Sequence, residues 1–279
     1  MRFAIDVAPV GELADPHVLV RLAVAAEAAG WDGFSTWDGF GVWMDTPESD
    51  PFVDLAAVAS ATSRLTLILS VLALPRRRPQ LVAQAVASLD RWSGGRLILG
   101  VGSGGDPGDF DQFGESGTGA ERAALLDEGL TLVDALLRGE PVDHDGAAYV
   151  AHVKAGFGLA PAQDPRPPVW IGGMKAGALR RAARWDGWIG VGTSEDGRSM
   201  AYSPADVVDA VRRIDAERAA IDRADAPFEV GLYGLTDAGD RELAAAYGAA
   251  GVTWWVESLS PTRGTNDELL ARVEAGPPR

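Results

Sequence analysis

The sequence has no cysteine and only three histidines among its 279 residues. The absence of cysteine excludes disulfide bonds, thiolate catalysis, iron–sulfur clusters and cysteine-ligated zinc. The histidines, His17, His144 and His152, form neither an H-x-H nor an H-E-x-x-H motif. Because zinc sites draw most of their ligands from cysteine and histidine, we predict no metal site.

Basic residues and long apolar runs are also scarce. The chain carries 25 Lys and Arg against 40 Asp and Glu, a formal net charge of −15. Such a chain repels the phosphates of nucleic acids unless it has a local basic stripe. No segment reaches the ~18 uncharged apolar residues that a membrane span needs, and the N-terminus lacks the apolar run of a signal peptide. We therefore expect a cytoplasmic protein that binds neither nucleic acid nor a membrane.

The residues that are present predict an α/β fold. Apolar residues make up 47% of the chain and charged residues 23%, as in globular proteins. Eight β-rich runs alternate with eight helical patterns, which predicts a single (β/α)8 TIM barrel of close to the usual ~250 residues. A doubly wound sheet is the alternative, but it usually has fewer units. Residues 140–167 interrupt the alternation and are predicted to form an insertion between the fourth helix and the fifth strand of a single domain spanning residues 1–279.

In such a barrel the active site lies at the C-terminal ends of the strands. Asp6 and Asp38 are carboxylates at two of these predicted ends. A buried carboxylate there could have a raised pKa and serve as an acid or base, although each could equally be an ordinary hydrogen-bonded turn residue. The one basic cluster, residues 75–79, follows the third strand, and we interpret it as a solvated loop rather than as an anion-binding site.

Three glycine-rich segments also follow predicted strands. Gly100–Gly105 matches G-x-G-x-x-G, but no helix begins directly after it. It therefore predicts a loop that a planar ligand can approach closely, or an ordinary flexible loop, rather than a dinucleotide fingerprint. Ile171–Lys175 and Gly190–Thr193 could bind a phosphate through backbone N–H groups, with Lys175 adding positive charge, or could simply form tight turns.

Several stretches, in order along the chain, resemble the bacterial-luciferase-like flavin-dependent oxidoreductases. The most specific of them is Leu89–Gly102, with the sequence LDRWSGGRLILGVG. The other matching stretches are 26–38, 50–52, 59–65, 75–79, 113–115, 122–130, 139–142, 167–173, 180–187 and 251–257. The resemblance covers nearly the whole chain, and the ordered combination is far more specific than any single motif.

The resemblance implies a (β/α)8 barrel that holds FMN or the deazaflavin coenzyme F420 at its C-terminal mouth. Members of the family transfer hydride or activate oxygen. The resemblance therefore implies that this chain acts on a small organic substrate. In F420-using members the third strand ends in a non-proline cis peptide behind the ring, and Ser70–Val71 matches that position, which favours F420. A flavin reductase and a second copy of the chain, in a homodimer, are compatible further partners. The implied cofactor contacts are Ser70, Val71, Gly100, Val101, Gly102, Gly172, Gly173, Lys175, Gly190 and Val191.

One departure from the family pattern concerns catalysis. Many members carry Asp-His after the second strand, where this chain has Asp38-Gly39. The predicted catalytic residues are therefore Asp38, Asp6 and Glu257, with the cofactor acting alone as the alternative. Three other hypotheses stay open, in decreasing order: a barrel that binds the cofactor without turnover, a cofactor-free lyase or isomerase using Asp6 and Asp38, and a metal-dependent hydrolase.

Overall fold

The apolar runs predicted as strands form a closed parallel barrel. The computed structural model describes residues 1–40, 45–105, 108–115, 117–156, 158–194 and 197–279. The strands are β1 (Arg2–Val7), β2 (Gly33–Thr36), β3 (Thr66–Ala73), β4 (Leu97–Gly102), β5 (Val142–Asp145), β6 (Val150–Val153), β7 (Val169–Gly172), β8 (Gly187–Val191), β9 (Glu229–Gly234) and β10 (Trp254–Leu259). Around the barrel the order is β1-β10-β9-β8-β7-β4-β3-β2 and back to β1. The predicted (β/α)8 barrel is thus confirmed.

Helices follow the barrel strands and flank them. They are α1 (Pro16–Ala28), α2 (Pro51–Ala61), α3 (Pro79–Ser93), α4 (Gly108–Asp111), α5 (Gly119–Leu137), α6 (Ala176–Ala182), α7 (Pro204–Ala220), α8 (Arg241–Ala249) and α9 (Asn266–Glu274). Local sequence sets several of their starts. The side chains of Asp15 and Asp50 accept backbone N–H groups at α1 and α2, and Thr118, Ser203 and Thr265 form capping boxes at α5, α7 and α9.

Two connections depart from simple alternation. Between β4 and α5 the chain forms the helical turn α4, whose Phe110 is buried. Between α5 and β7, strands β5 and β6 pair as an antiparallel hairpin. Glu128 on α5 holds this hairpin, because its carboxylate accepts the N–H groups of Ala148 and Tyr149 and lies 2.9 Å from Nε2 of His144. The hairpin therefore has a fixed position beside α5.

Side-chain alternation along the barrel strands separates two apolar layers. The interior cluster consists of Ala4, Ile68, Ile98, Trp170, Ile189, Tyr233, Trp254 and Val256. A larger layer packs between the strands and the helices, and on β10 Trp255 belongs to this outer layer while Trp254 faces inward. The same alternation decides which strand-end side chains face the barrel mouth. Among the described residues, no helix combines the length and apolar composition that a membrane crossing requires.

Candidate active site

Asp6 lies on the interior face of β1, because it is two residues after Ala4 of the interior cluster. Its side chain is buried, and Oδ1 has no hydrogen-bond partner among the described residues. Burial raises the pKa of Asp6 to about 8, although the hydroxyl of Ser35, its neighbour across β2, opposes the rise. A carboxyl with this pKa is largely protonated at neutral pH and can donate or accept a proton.

Tyr233 faces the barrel interior from β9, two strands away from the β1 strand that carries Asp6. Its hydroxyl donates a hydrogen bond to the carbonyl oxygen of Ser70 at β3. Burial, reinforced by the charge of Asp6, raises the pKa of Tyr233 well above its ordinary value. The Ser70 hydroxyl is buried without a partner among the described residues. We call Asp6, Ser35, Ser70 and Tyr233 the interior polar cluster.

The end of β3 brings four predicted cofactor contacts together. The Ser70–Val71 peptide is cis, as the resemblance implied for this position. The Val71 side chain is half-buried and packs against the interior cluster. A Cβ atom added to Gly172 would lie 2.5 Å from Val71 Cγ1, and one added to Gly102 would lie 3.1 Å from Cγ2. Glycine on the neighbouring strands β4 and β7 therefore makes room for Val71.

Three further predicted contacts lie at or beyond strand ends on the same side of the barrel. Val191 is the last residue of β8 and is 48% exposed, and Lys175 is exposed immediately before α6. Gly173 has a φ of +120°, and its N–H group donates to the carbonyl oxygen of Ile189 at 3.2 Å. That N–H is therefore not available to a phosphate, and a phosphate contact through Lys175 stays a prediction.

The remaining predicted contacts are used in packing. A Cβ atom on Gly100 would lie 2.7 Å from the carbonyl oxygen of Leu69, so glycine there permits the close approach of β3 and β4. Val101 is fully buried in the outer apolar layer. Gly190 faces the same layer, where a Cβ atom would meet the ring of Trp188 at 2.7 Å. Alternation turns Val101 and Gly190 away from the barrel interior.

Asp38 is part of an ion-pair network at the end of β2. Its carboxylate accepts the N–H group of Ala73 at 3.0 Å and pairs with Arg76 at 3.2 Å and Arg77 at 2.6 Å. Arg76 also pairs with Asp109 at 2.7 Å. The interpretation of residues 75–79 as a solvated loop holds for Arg78, which is exposed, but not for Arg76, because only 3% of the Arg76 side chain is exposed. Asp38 is held by two arginine side chains and therefore has a structural role, unlike the interior polar cluster.

Glu257 faces away from the barrel interior. It is fully buried on β10, two residues after the outward-facing Trp255. Its carboxylate accepts hydrogen bonds from the Thr236 N–H group at 2.9 Å and hydroxyl at 2.6 Å, from the Trp255 indole at 2.9 Å and from Arg263 at 2.6 Å. Both carboxylate oxygens of Glu257 thus have hydrogen-bond partners. Because Thr236 follows β9 and Arg263 follows β10, Glu257 positions the loops after these two strands.

Glu48 was not singled out by the sequence analysis. It pairs with Val10 in an isolated bridge, and the Ser49 N–H group donates to the Pro9 carbonyl at 3.2 Å, so this segment crosses the loop after β1. Both carboxylate oxygens of Glu48 are buried, and they fill the space beside Gly39. No local motif signals this contact, because it depends on the path of the loop over the end of the barrel.

The hairpin brings a second group of titratable residues together. Asp143, Asp145 and His152 are all exposed and offer ligand atoms within 4.8 Å of one another. Nδ1 of His152 lies 2.7 Å from Asp143, and Nε2 lies 3.4 Å from Asp145. The hydrogen bond to Asp143 and the charge of Asp145 raise the pKa of His152. The close approach of these three side chains is therefore explained by ion pairs at the protein surface.

Comparison with known proteins identifies the family. Residues 2–272 match the sequence profile of the luciferase-like monooxygenases. The chain belongs to this family. An uncharacterised protein of Mycobacterium tuberculosis is 34% identical over 196 residues, which span 63% of this chain and 66% of that protein. The F420-dependent glucose-6-phosphate dehydrogenase of Mycobacterium avium is 36% identical over 186 residues, 62% of this chain and 53% of that enzyme. The matches thus span less than two thirds of either relative.

Solved structures share the fold over most of the chain. The F420-dependent tetrahydromethanopterin reductase of Methanopyrus kandleri has a TM-score of 0.78 at 19% identity, covering 98% of this chain and 96% of that one. An F420-dependent secondary alcohol dehydrogenase has a TM-score of 0.81 at 14% identity, covering 99% and 98%. The FMN-bound oxygenating component of 3,6-diketocamphane monooxygenase of Pseudomonas putida has a TM-score of 0.67 at 17% identity, covering 84% and 67%.

Proposed function

We propose that this chain is an oxidoreductase that binds reduced F420 or FMN at the C-terminal mouth of its barrel and acts on a small organic substrate. The observation that carries the proposal is the group formed by Val71, Gly102 and Gly172, next to the interior polar cluster. Family membership supports the reaction class, since luciferase-like enzymes named among the relatives are F420-dependent dehydrogenases and FMN-containing monooxygenases.

The residues at this mouth fit a planar cofactor. A flat ring needs a surface over which no large side chain stands, with a few convergent polar groups beside it. Gly102 and Gly172 add no side chains at the ends of β4 and β7, and Val71 between them is partly exposed. Lys175, exposed beyond β7, has the charge to attract an anionic part of the same cofactor.

When bound in its reduced form, such a cofactor supplies a hydride or, for FMN, reacts with oxygen. The chain's own residues supply the remaining functions. Asp6, with its pKa of about 8, holds a proton at neutral pH and is the proposed acid or base. Tyr233 donates a hydrogen bond to the carbonyl oxygen of Ser70 and so positions the end of β3, including Val71. We do not include Asp38 or Glu257 among the proposed catalytic groups, because both are fully engaged in ion pairs.

F420 is the cofactor that we favour. A curated relative with an assigned activity is F420-dependent and 36% identical over the matched residues. Two F420-dependent enzymes of known structure are also matched over almost their whole length, whereas 67% of the FMN monooxygenase described above is covered. If FMN is the cofactor instead, its electrons must come from an external donor, for which a reductase partner is the proposed source.

The test is a fluorescence titration of cofactor-stripped protein with F420 and, separately, with FMN. We expect saturable quenching with F420 and a weaker response with FMN, and binding of neither would overturn the proposal. Gly172→Ala should weaken cofactor binding by about tenfold, because its Cβ atom would displace Val71. Gly177→Ala is the matched control, since nothing lies within 4 Å of a Cβ atom at Gly177.

A barrel that binds the cofactor without turnover is the second candidate. It is favoured by Gly39, which stands where many family members carry a histidine, and by the Glu48 carboxylate that fills the adjacent space. Two assays distinguish the candidates: bound, reduced cofactor with aldehydes and ketones, which can accept a hydride, and bound, oxidised cofactor with alcohols, which can donate one. Substrate-dependent oxidation or reduction of the cofactor supports the oxidoreductase, and binding without either supports the second candidate.

A further inference from the structure

A pocket of about 330 Å³ lies beyond the C-terminal end of β3, between the basic segment after that strand and the hairpin. It contains none of the residues proposed above to contact the cofactor or to carry out the chemistry. Its walls include Arg76, Arg78, Phe110, Glu115, Leu125 and Tyr149. Two of these groups are cationic, two are wholly apolar and one is acidic.

Unused hydrogen-bond donors remain on the cationic wall. Arg76 donates through its two terminal nitrogens to Asp109 and Asp38, but its buried Nε atom has no partner among the described residues. Arg77 is occupied by Asp38 and Asp50. The backbone carbonyl of Arg78 accepts the N–H groups of Leu81 and Val82, but its exposed side chain forms no ion pair or hydrogen bond within the described part of the chain. In a chain of net charge −15, an arginine left without a carboxylate is a ready site for an anion.

The charge of Arg78 acts on Tyr149, which lines the same pocket. Burial raises the pKa of the half-buried Tyr149, and the charge of Arg78 opposes that rise. Tyr149 cannot easily move away, because the Glu128 carboxylate accepts its N–H group at 2.8 Å. The hydroxyl of Tyr149 is therefore a further donor held near Arg78.

The other walls limit what the anion can be. Phe110 and Leu125, apolar residues on opposite sides of Glu115 in the chain, line the pocket, and because Phe110 is 1% exposed, the apolar surface open to a ligand belongs mainly to the partly exposed Leu125. Glu115, an exposed carboxylate on the same lining, repels a second negative charge. A single carboxylate on an apolar body suits this combination better than a phosphate dianion.

We infer that this pocket binds a small apolar monocarboxylate, whose carboxylate lies between Arg78 and the hydroxyl of Tyr149 and whose apolar part contacts Leu125. The site is independent of the proposed cofactor site and stands whether or not the cofactor binds. The same carboxylate chemistry could come from a free acid or from an acidic arm of a ligand held in the barrel mouth.

The probe is benzoate, titrated calorimetrically into the full chain without cofactor, with benzamide as its neutral counterpart of the same shape. We expect benzoate to bind about tenfold more tightly than benzamide, because charge-assisted hydrogen bonds are lost with the amide. Arg78→Gln should reduce benzoate affinity by about tenfold. Arg213→Gln, which removes the same charge from an exposed position on α7, should leave it unchanged.

A second variant changes affinity in the opposite direction. Glu115→Gln should strengthen benzoate binding by about twofold to fivefold, the range expected for one partly screened surface charge. Failure of the wild-type chain to bind benzoate, or equal affinities for the wild type and Arg78→Gln, would overturn the inference. Repeating the titration with F420 bound distinguishes the two sources: undiminished binding indicates a free acid, and competition indicates an acidic arm of the bound ligand.

Discussion

The carboxylate of Glu48 occupies the space that a side chain at position 39 would fill. A Cβ atom added to Gly39 would lie 2.8 Å from Glu48 Cδ and would overlap its oxygen atoms. Glu48 is held in place by its bridge to Val10, in the loop after β1. Glycine at 39 and glutamate at 48 are therefore a matched pair, and a histidine at position 39 would not fit without moving Glu48.

Gly39→Ala tests this pair. The added methyl group must displace a buried carboxylate, so we expect the free energy of unfolding to fall by about 1–3 kcal/mol in urea denaturation. Gly177→Ala, in open space on α6, should be neutral or stabilising by up to about 1 kcal/mol. The double variant Gly39→Ala, Glu48→Ala should recover part of the loss, and a purely additive result would contradict the contact.

The raised pKa of Asp6 predicts a pH dependence of stability. Between the ordinary carboxyl pKa of 3.8 and the folded value of about 8, the unfolded chain has released a proton that the folded chain retains. The free energy of unfolding contributed by Asp6 is therefore fully present below pH 3.8 and falls as the pH rises towards 8. Asp6→Asn should remove this slope, measured as the difference between wild type and variant in urea denaturation at several pH values.

Asp54 provides the comparison for Asp6. Burial raises the pKa of Asp54 to about 6, with the Ser49 hydroxyl opposing the rise. The difference between wild type and Asp54→Asn should therefore level off near pH 6, whereas that for Asp6→Asn continues to fall to about pH 8. Identical pH profiles for the two variants would show that the interior position of Asp6 does not set its pKa.

Tyr233→Phe is expected to destabilise the barrel. It removes the hydroxyl that donates to the buried Ser70 carbonyl, and an unsatisfied buried acceptor costs about 1–3 kcal/mol. Tyr202→Phe is the matched control, because the Tyr202 hydroxyl forms no hydrogen bond within the described residues. Thermal or urea unfolding measures both variants, and equal stabilities for the two would argue against the bond from β9 to β3.

Glu257→Gln separates a structural from a catalytic role. Breaking the buried pair with Arg263 should lower the free energy of unfolding by about 3–5 kcal/mol, while folded protein binds F420 with unchanged affinity. Asp209→Asn breaks the pair with Arg212, in which both side chains are more than half exposed, and should have little effect on stability. Loss of turnover at unchanged stability would instead restore Glu257 to the catalytic group predicted from the sequence.

The cofactor residues illustrate how far sequence reasoning reaches. Strand ends and glycines could be located within a few residues, and Val71, Gly102 and Gly172 do lie together. Gly190 was predicted with them because it also ends a glycine-rich strand, yet it packs against Trp188 in the outer layer. Gly190 differs because successive side chains on a strand point to opposite faces, so that a shift of one residue moves a side chain from the barrel interior to the layer beneath the helices.

By itself, the sequence determined the alternation of strands and helices, the helix starts at residues such as Asp15 and Thr118, and the family. These features depend on local periodicity, capping and ordered motifs. Only the tertiary structure decided that Asp38 is taken up by Arg76 and Arg77, and that Glu48 fills the space beside Gly39. Such contacts join loops from different strands, and their partners are chosen by the closure of the barrel rather than by spacing along the chain.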